Sequence, residues 1–131
     1  MKIDKKQWRR GPWDSEPDSA KWIERGLHCA ALRHPYSGHW RGYIAVPDGH
    51  PLYGESTPKL ACHGDVSYAA PCACEHLDHC EVTGNGHVWW FGFACSTNAD
   101  LLPSDRRDDN REYRDLNFVK RQCRSLALQL S

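Results

Sequence analysis

The sequence predicts an α+β fold: one compact domain over residues 1–131, with a mainly antiparallel sheet packed by an N-terminal helix and a long C-terminal helix. Three observations carry this. Near the C-terminus, Tyr113, Leu116, Val119, Cys123, Leu126, Ala127 and Leu130 recur mostly at steps of three and four, the period of one helix face. Upstream lie four short segments, residues 27–33, 39–46, 60–69 and 87–95, rich in apolar residues and bounded by turn residues. No internal repeat or low-complexity linker divides the chain, and 131 residues is the size of one ordinary domain.

The elements follow in chain order. Residues 1–10 are locally basic and predict a flexible terminus. Asp14-Ser15-Glu16-Pro17-Asp18 reads as a helix start: Ser15 can cap, Pro17 suits the first turn, and the acids suit the positive end of the dipole. That helix is expected over Glu16–Arg25, stopping at Gly26. Leu27 to Arg33 predicts a buried strand, turning back through His34-Pro35-Tyr36-Ser37-Gly38 into a second strand from His39 to Val46. Leu60 to Ala69 alternates, with Ala61, His63, Asp65 and Ser67 on one side and Cys62, Val66 and Tyr68 on the other. Pro71 to Gly86 is polar and reads as loop. His87 to Cys95 is apolar without alternation, so both faces should be covered, and it is the expected central strand. The last helix is expected over Arg111–Leu130, with Arg114, Lys120, Arg121 and Arg124 off its apolar stripe.

Composition narrows the function classes. Seventeen basic residues balance seventeen acidic ones, so charge offers nothing to a nucleic-acid polymer or an acidic membrane. No apolar run approaches the roughly 20 residues of a bilayer span, and the N-terminus lacks the apolar stretch of a signal peptide. A soluble, cytoplasmic protein is expected. Seven Cys, an odd number, then read as free thiols or metal ligands. The densest cluster is Cys72, Cys74, His76, His79 and Cys80. In an extended stretch Cys72, Cys74 and His76 share one side, and His79 or Cys80 would complete a zinc tetrahedron. The spacing is not that of a zinc knuckle, and a loop with exposed thiols is the plainer alternative.

Aromatic residues point to a ligand pocket. The run from Gly38 to Gly54 holds two His, three large aromatics and four Gly, and Val88-Trp89-Trp90-Phe91-Gly92-Phe93 follows downstream. A pocket is expected where His39, Trp40, Arg41, Tyr43, His50, Tyr53, His63, Tyr68 and Trp90 converge, with Arg41 as leading anion partner. Its ligand would be compact, partly planar and anionic. Core packing is the simpler reading for most of the Trp, and adjacent Trp89 and Trp90 must face opposite ways. Of His39, His50, His63 and His87, at least two of the first three are expected to bond backbone at turns. His63, beside Gly64, is retained as functional. No nucleophile-elbow or HExxH pattern occurs, so no catalytic residue is assigned.

Several of these blocks together resemble a family of small proteins encoded by bacteriophages and prophages. They are Gly11-Pro12-Trp13-Asp14-Ser15-Glu16-Pro17-Asp18, Gly38-His39-Trp40-Arg41-Gly42-Tyr43, Gly49-His50-Pro51-Leu52-Tyr53-Gly54, His63-Gly64, Trp89-Trp90-Phe91-Gly92-Phe93 and Tyr113-Arg114-Asp115-Leu116. The resemblance implies a phage gene product acting in the cytoplasm of a bacterial host cell. In the resembled family the Trp-Trp-Phe-Gly-Phe block runs on into an Asp-Cys-Ala-His-type sequence, whereas here Ala94-Cys95-Ser96-Thr97-Asn98-Ala99-Asp100 follows and keeps only Cys95 and Asp100. Three functions fit. The first is binding and sequestration of a small molecule, such as a nucleotide-derived host immune signal. The second is a small hydrolase using His63 with Asp65 or Asp100. The third is a zinc-stabilised module that docks on a host protein. A homo-oligomer is compatible with each.

Overall fold

Arg25 and Gly26 both take positive φ, 49° and 81°. Two such residues in a row make the tight turn of a β-hairpin. In the computed structural model, which describes residues 3–71, 88–106 and 111–131, this turn joins β1 (Ser19–Glu24) to β2 (Leu27–Arg33). The helix expected over Glu16–Arg25 is therefore a strand. A glycine at positive φ ends helices and closes hairpins alike, so Gly26 carried no discrimination. The discriminating feature is the exposed/half-buried alternation along Ser19–Glu24, which has period two.

Ahead of β1 the chain makes two short 3₁₀ turns, Lys5–Gln7 and Pro12–Ser15. The terminus expected to be flexible is docked from Lys5 onward. Trp8 is buried and its indole N–H donates to the Tyr36 carbonyl at 2.9 Å, while Lys5 donates to the Glu16 carbonyl and pairs with Asp18.

β3 (Trp40–Pro47), β4 (Tyr68–Ala70) and β5 (Val88–Ala94) complete a sheet of order β1-β2-β3-β5-β4, antiparallel at every pairing. The central strand is β3, not the segment around residues 87–95 that was expected there. β5 lies next to it, with Trp90, Phe91, Gly92 and Phe93 buried. The strand expected over 60–69 shrinks to Tyr68–Ala70. Gly64 and Asp65 take positive φ, 69° and 64°, which breaks the extended run. Upstream of that break the backbone pairs with helix side chains instead of a strand. Ala61 exchanges hydrogen bonds with the Gln129 amide at 2.7 and 2.8 Å, and the His63 N–H donates to Gln122 Oε1 at 2.9 Å.

The C-terminal helix α1 spans Leu116–Leu130, later than the Arg111 start expected. Asp115 caps it, accepting from the Phe118 N–H at 2.8 Å. Its stripe of Val119, Cys123, Leu126, Ala127 and Leu130 packs on Cys29, Ala31, Ile44, Val46, Phe91 and Phe93, the side chains that β2, β3 and β5 turn toward it. Tyr113, assigned to that stripe, lies before the helix and meets Trp13 edge to face at 5.1 Å. No helix among the described residues is long and apolar enough to cross a membrane.

Leu126 is fully buried and Leu128 is 54% exposed on the same helix. Leu126→Ala is expected to lower stability by about 2–5 kcal/mol, against about 0.5 kcal/mol or less for Leu128→Ala. Urea unfolding of the two variants checks this, and equal losses would contradict the face assigned to α1.

Candidate functional site

The nine residues expected to form one pocket fall in separate places. Trp40 is fully buried on the helix side of the sheet, under the Arg33 guanidinium at 4.5 Å. His50 closes the end of α1: its Nε2–H donates to the Leu130 carbonyl at 2.7 Å, and its Nδ1 accepts the Leu52 N–H at 3.0 Å. Tyr53 rests against Trp89, ring centroids 6.0 Å apart. His39, Arg41, Tyr43, Tyr68 and Trp90 do belong together, on the sheet face turned away from α1. There Tyr43 and Tyr68 meet edge to face at 5.5 Å, and Tyr43 and Trp90 are buried. His63 is on the opposite side, against α1. A single pocket holding all nine is not formed. The physical reason is strand parity, since neighbours such as Trp40 and Arg41 point through opposite faces.

His63 has the most developed surroundings. Its Nε2–H donates to Asp100 Oδ2 at 2.7 Å. The same oxygen accepts the Thr97 N–H and hydroxyl, both at 2.9 Å, and Oδ1 accepts Arg114 Nε at 2.8 Å. The Asp100 side chain is fully buried, whereas those of His63 and Arg114 are 15% and 20% exposed. Burial alone would push the Asp100 carboxyl up, but hydrogen bonds from His63, Arg114 and Thr97 outweigh it and hold the group below the usual carboxylate range. Asp100 in turn raises the Arg114 guanidinium. With Nε2–H committed to a carboxylate, Nδ1 is the acceptor of the neutral ring, and no other described residue bonds to it. Of the two acids considered for His63, the structure pairs it with Asp100 and not Asp65.

Phe118 forms the outer wall. The His63 ring stands on its edge at 5.0 Å and 90°, the Arg114 guanidinium lies 4.9 Å from its centroid, and that of exposed Arg121 lies 6.0 Å away. Arg114 also binds Glu112 Oε2 at 2.7 Å. From the sequence Arg114 and Arg121 are placed only off the apolar stripe of the helix, and Thr97, Phe118 and Gln122 are not singled out. One signal was present: Arg114, Phe118 and Arg121 are spaced by four and three, which would place them on one edge of the helix expected from Arg111.

Among the described residues no activated thiol accompanies this imidazole. Burial, helped by Asp100, pushes the Cys95 thiol up to about 12, and burial with Asp65 pushes Cys62 up to about 11. The expected zinc ligands Cys72, Cys74, His76, His79 and Cys80 lie outside the described residues, as does His87. Among the described residues no three metal-ligating side chains converge. Ala94 and Thr97 serve different clusters. Ala94 lies opposite Arg41 in register, and Thr97 binds Asp100. Comparison with family models, curated proteins and solved structures finds no match.

Because the folded Asp100 carboxyl is depressed, its contribution to stability is complete above the unfolded value of about 4. It is lost as pH falls through the lower folded value. Asp100→Asn is expected to be about 1–3 kcal/mol less stable near neutrality and to lose less than the parent on acidification. Thermal melts across that acid window test this; parallel curves for the two proteins would show that Asp100 is not the titrating group.

Proposed function

We propose that the protein captures a compact, partly planar anionic molecule at Phe118 and holds it unchanged. The carrying observation is one half-buried aromatic ring attended by two guanidiniums and an imidazole, Arg114, Arg121 and His63. The ring offers a stacking surface, the exposed Arg121 offers a planar fork that no described carboxylate takes, and His63 offers a polar edge. Non-covalent capture fits the high thiol pKa values of Cys62 and Cys95. Charge and ring together favour a nucleotide-like ligand. With the resemblance to phage-encoded proteins, this makes sequestration of a nucleotide-derived immune signal in the cytoplasm of the host the reading adopted here.

A hydrolytic reading is favoured by one observation, the 2.7 Å His63–Asp100 contact. A buried carboxylate that fixes the tautomer of an imidazole leaves the other ring nitrogen free to take a proton from water.

Native mass spectrometry of freshly purified protein, followed by heat release of the bound molecule, separates the two. Capture predicts a stoichiometric ligand recovered intact, with Arg121→Ala weakening its retention about tenfold, the worth of one charge-assisted hydrogen bond, and leaving the circular dichroism unchanged. Release of a cleaved product, with cleavage abolished in His63→Ala, would replace capture by hydrolysis. Full retention by both variants would place the ligand elsewhere.

A further inference from the structure

We infer that the sheet face opposite α1 carries a second anion site, in which Arg41, with His39 and His34 beside it, takes a phosphate group. Arg41 lies in β3 between β2 and β5, and its cross-strand neighbours are Leu32 and Ala94. Neither side chain can accept a hydrogen bond. The Arg41 Nε–H is buried and has no hydrogen-bond partner, and no described carboxylate pairs with the guanidinium. Buried donors are nearly always satisfied, and a guanidinium cannot shed its charge to escape the cost. A half-buried cation with an unmet donor is a site waiting for an acceptor.

The neighbouring imidazoles are arranged to help. His39 lies just before β3, two residues ahead of Arg41, close enough to feel its charge. His34 and His39 stack, with centroids 5.0 Å apart and planes 16° from parallel. The Ser37 hydroxyl sits 3.0 and 2.8 Å from their two Nδ1 atoms. His34 Nδ1 also accepts the N–H groups of Tyr36 and Ser37, at 3.2 Å each, which puts the proton of the neutral ring on Nε2. That Nε2–H is a donor on a half-buried residue, with no partner among the described residues. Burial, then the charge of Arg41, lowers His34; burial, then His34 and then Arg41, lowers His39 to about 4. The opposing charge on His39 is Asp100, whose oxygens are already taken by His63, Thr97 and Arg114. Among the described residues no carboxylate pairs with Arg41, and the one that acts on His39 is bonded to other donors. A tetrahedral oxyanion supplies several acceptors at once, enough for the Arg41 fork and an imidazole donor. A carboxylate supplies only two oxygens in one plane.

The site is independent of the capture site at Phe118, which lies on the α1 side. The probe is inorganic phosphate, titrated at constant ionic strength into the full chain and followed by NMR at the Arg41 Nε–H and at the His34, His39 and His63 rings. The expected result is a saturable shift of Arg41, His34 and His39 with a common affinity, stronger for phosphate than for acetate, while His63 stays still. Arg41→Lys keeps the charge and stem but not the fork, and is expected to weaken phosphate about tenfold. Arg41→Gln is expected to abolish the response. An Arg41 Nε–H that does not move, an equal response to chloride, or undiminished affinity in a folded Arg41→Lys would each overturn the proposal. A shift of His63 alone would place phosphate at Phe118 and leave Arg41 without a ligand role.

Discussion

The ion pair between Arg33 and Glu16 organises this fold. The Arg33 guanidinium is fully buried at the end of β2, a placement that is costly unless its donors are met. They are met by Glu16, Asp18, the Gly38 and Pro17 carbonyls and the Tyr113 hydroxyl. Glu16 then accepts from the Trp40 indole, the Tyr113 hydroxyl and the Leu116 N–H, the last an unpaired donor of the first turn of α1. One pair of charges thus ties the N-terminal segment, β2, the turn before β3 and the start of the helix into one junction. The Tyr113 phenol is half-buried there, and burial together with Glu16 raises its pKa, so it serves as a neutral donor. Because the junction fixes both the β2–β3 turn and the approach to α1, it also fixes where His39, Arg41 and Arg114 stand.

That junction explains why the N-terminal helix was misread. Glu16 and Asp18 look like acids placed for a helix dipole, and Pro17 like a first-turn proline. In the fold the acids face Arg33, a residue fifteen or more positions away, and Pro17 holds Glu16 extended, at φ −91° and ψ 152°. Helix capping is a local signal, and a long-range ion pair uses the same residue types. By contrast α1, β2, β3 and β5 were legible because their apolar periods are strong and local. The 60–69 segment shows the limit of alternation: its outward donors and acceptors meet Gln122 and Gln129, one helical repeat of seven apart, which mimic a neighbouring strand.

The candidate sites were half legible for a related reason. Residue type singled out His63, His39 and Arg41, since imidazoles and an arginine among aromatics and glycines are unusual in a core. Their grouping was not legible. Period-two geometry separates Trp40 from Arg41 and Trp89 from Trp90, but which parity faces α1 depends on packing that no single strand encodes. Asp100 was named only as one of two acids for His63, because the loop that carries it is held by an isolated bridge to Glu112, a contact with no sequence period at all.

The same parity gives the segment after Phe93 a double reach. Ala94 ends β5 on the face of Arg41, the Cys95 N–H returns to the Trp40 carbonyl at 2.9 Å, and Thr97 and Asp100 turn to the helix side to hold His63 and Arg114. A stretch of seven residues, 94–100, therefore borders both the Arg41 and the His63 clusters. An acid in place of Ala94 would stand across from Arg41 and neutralise it without touching the Asp100 carboxylate. A ring in place of Thr97 would remove a hydroxyl donor to Asp100 without altering the neighbours of Arg41. Ala94 and Thr97 thus bear on two separate charges. The alanine leaves Arg41 with no acceptor in the sheet, and the threonine adds a donor that keeps Asp100 ionised beneath His63.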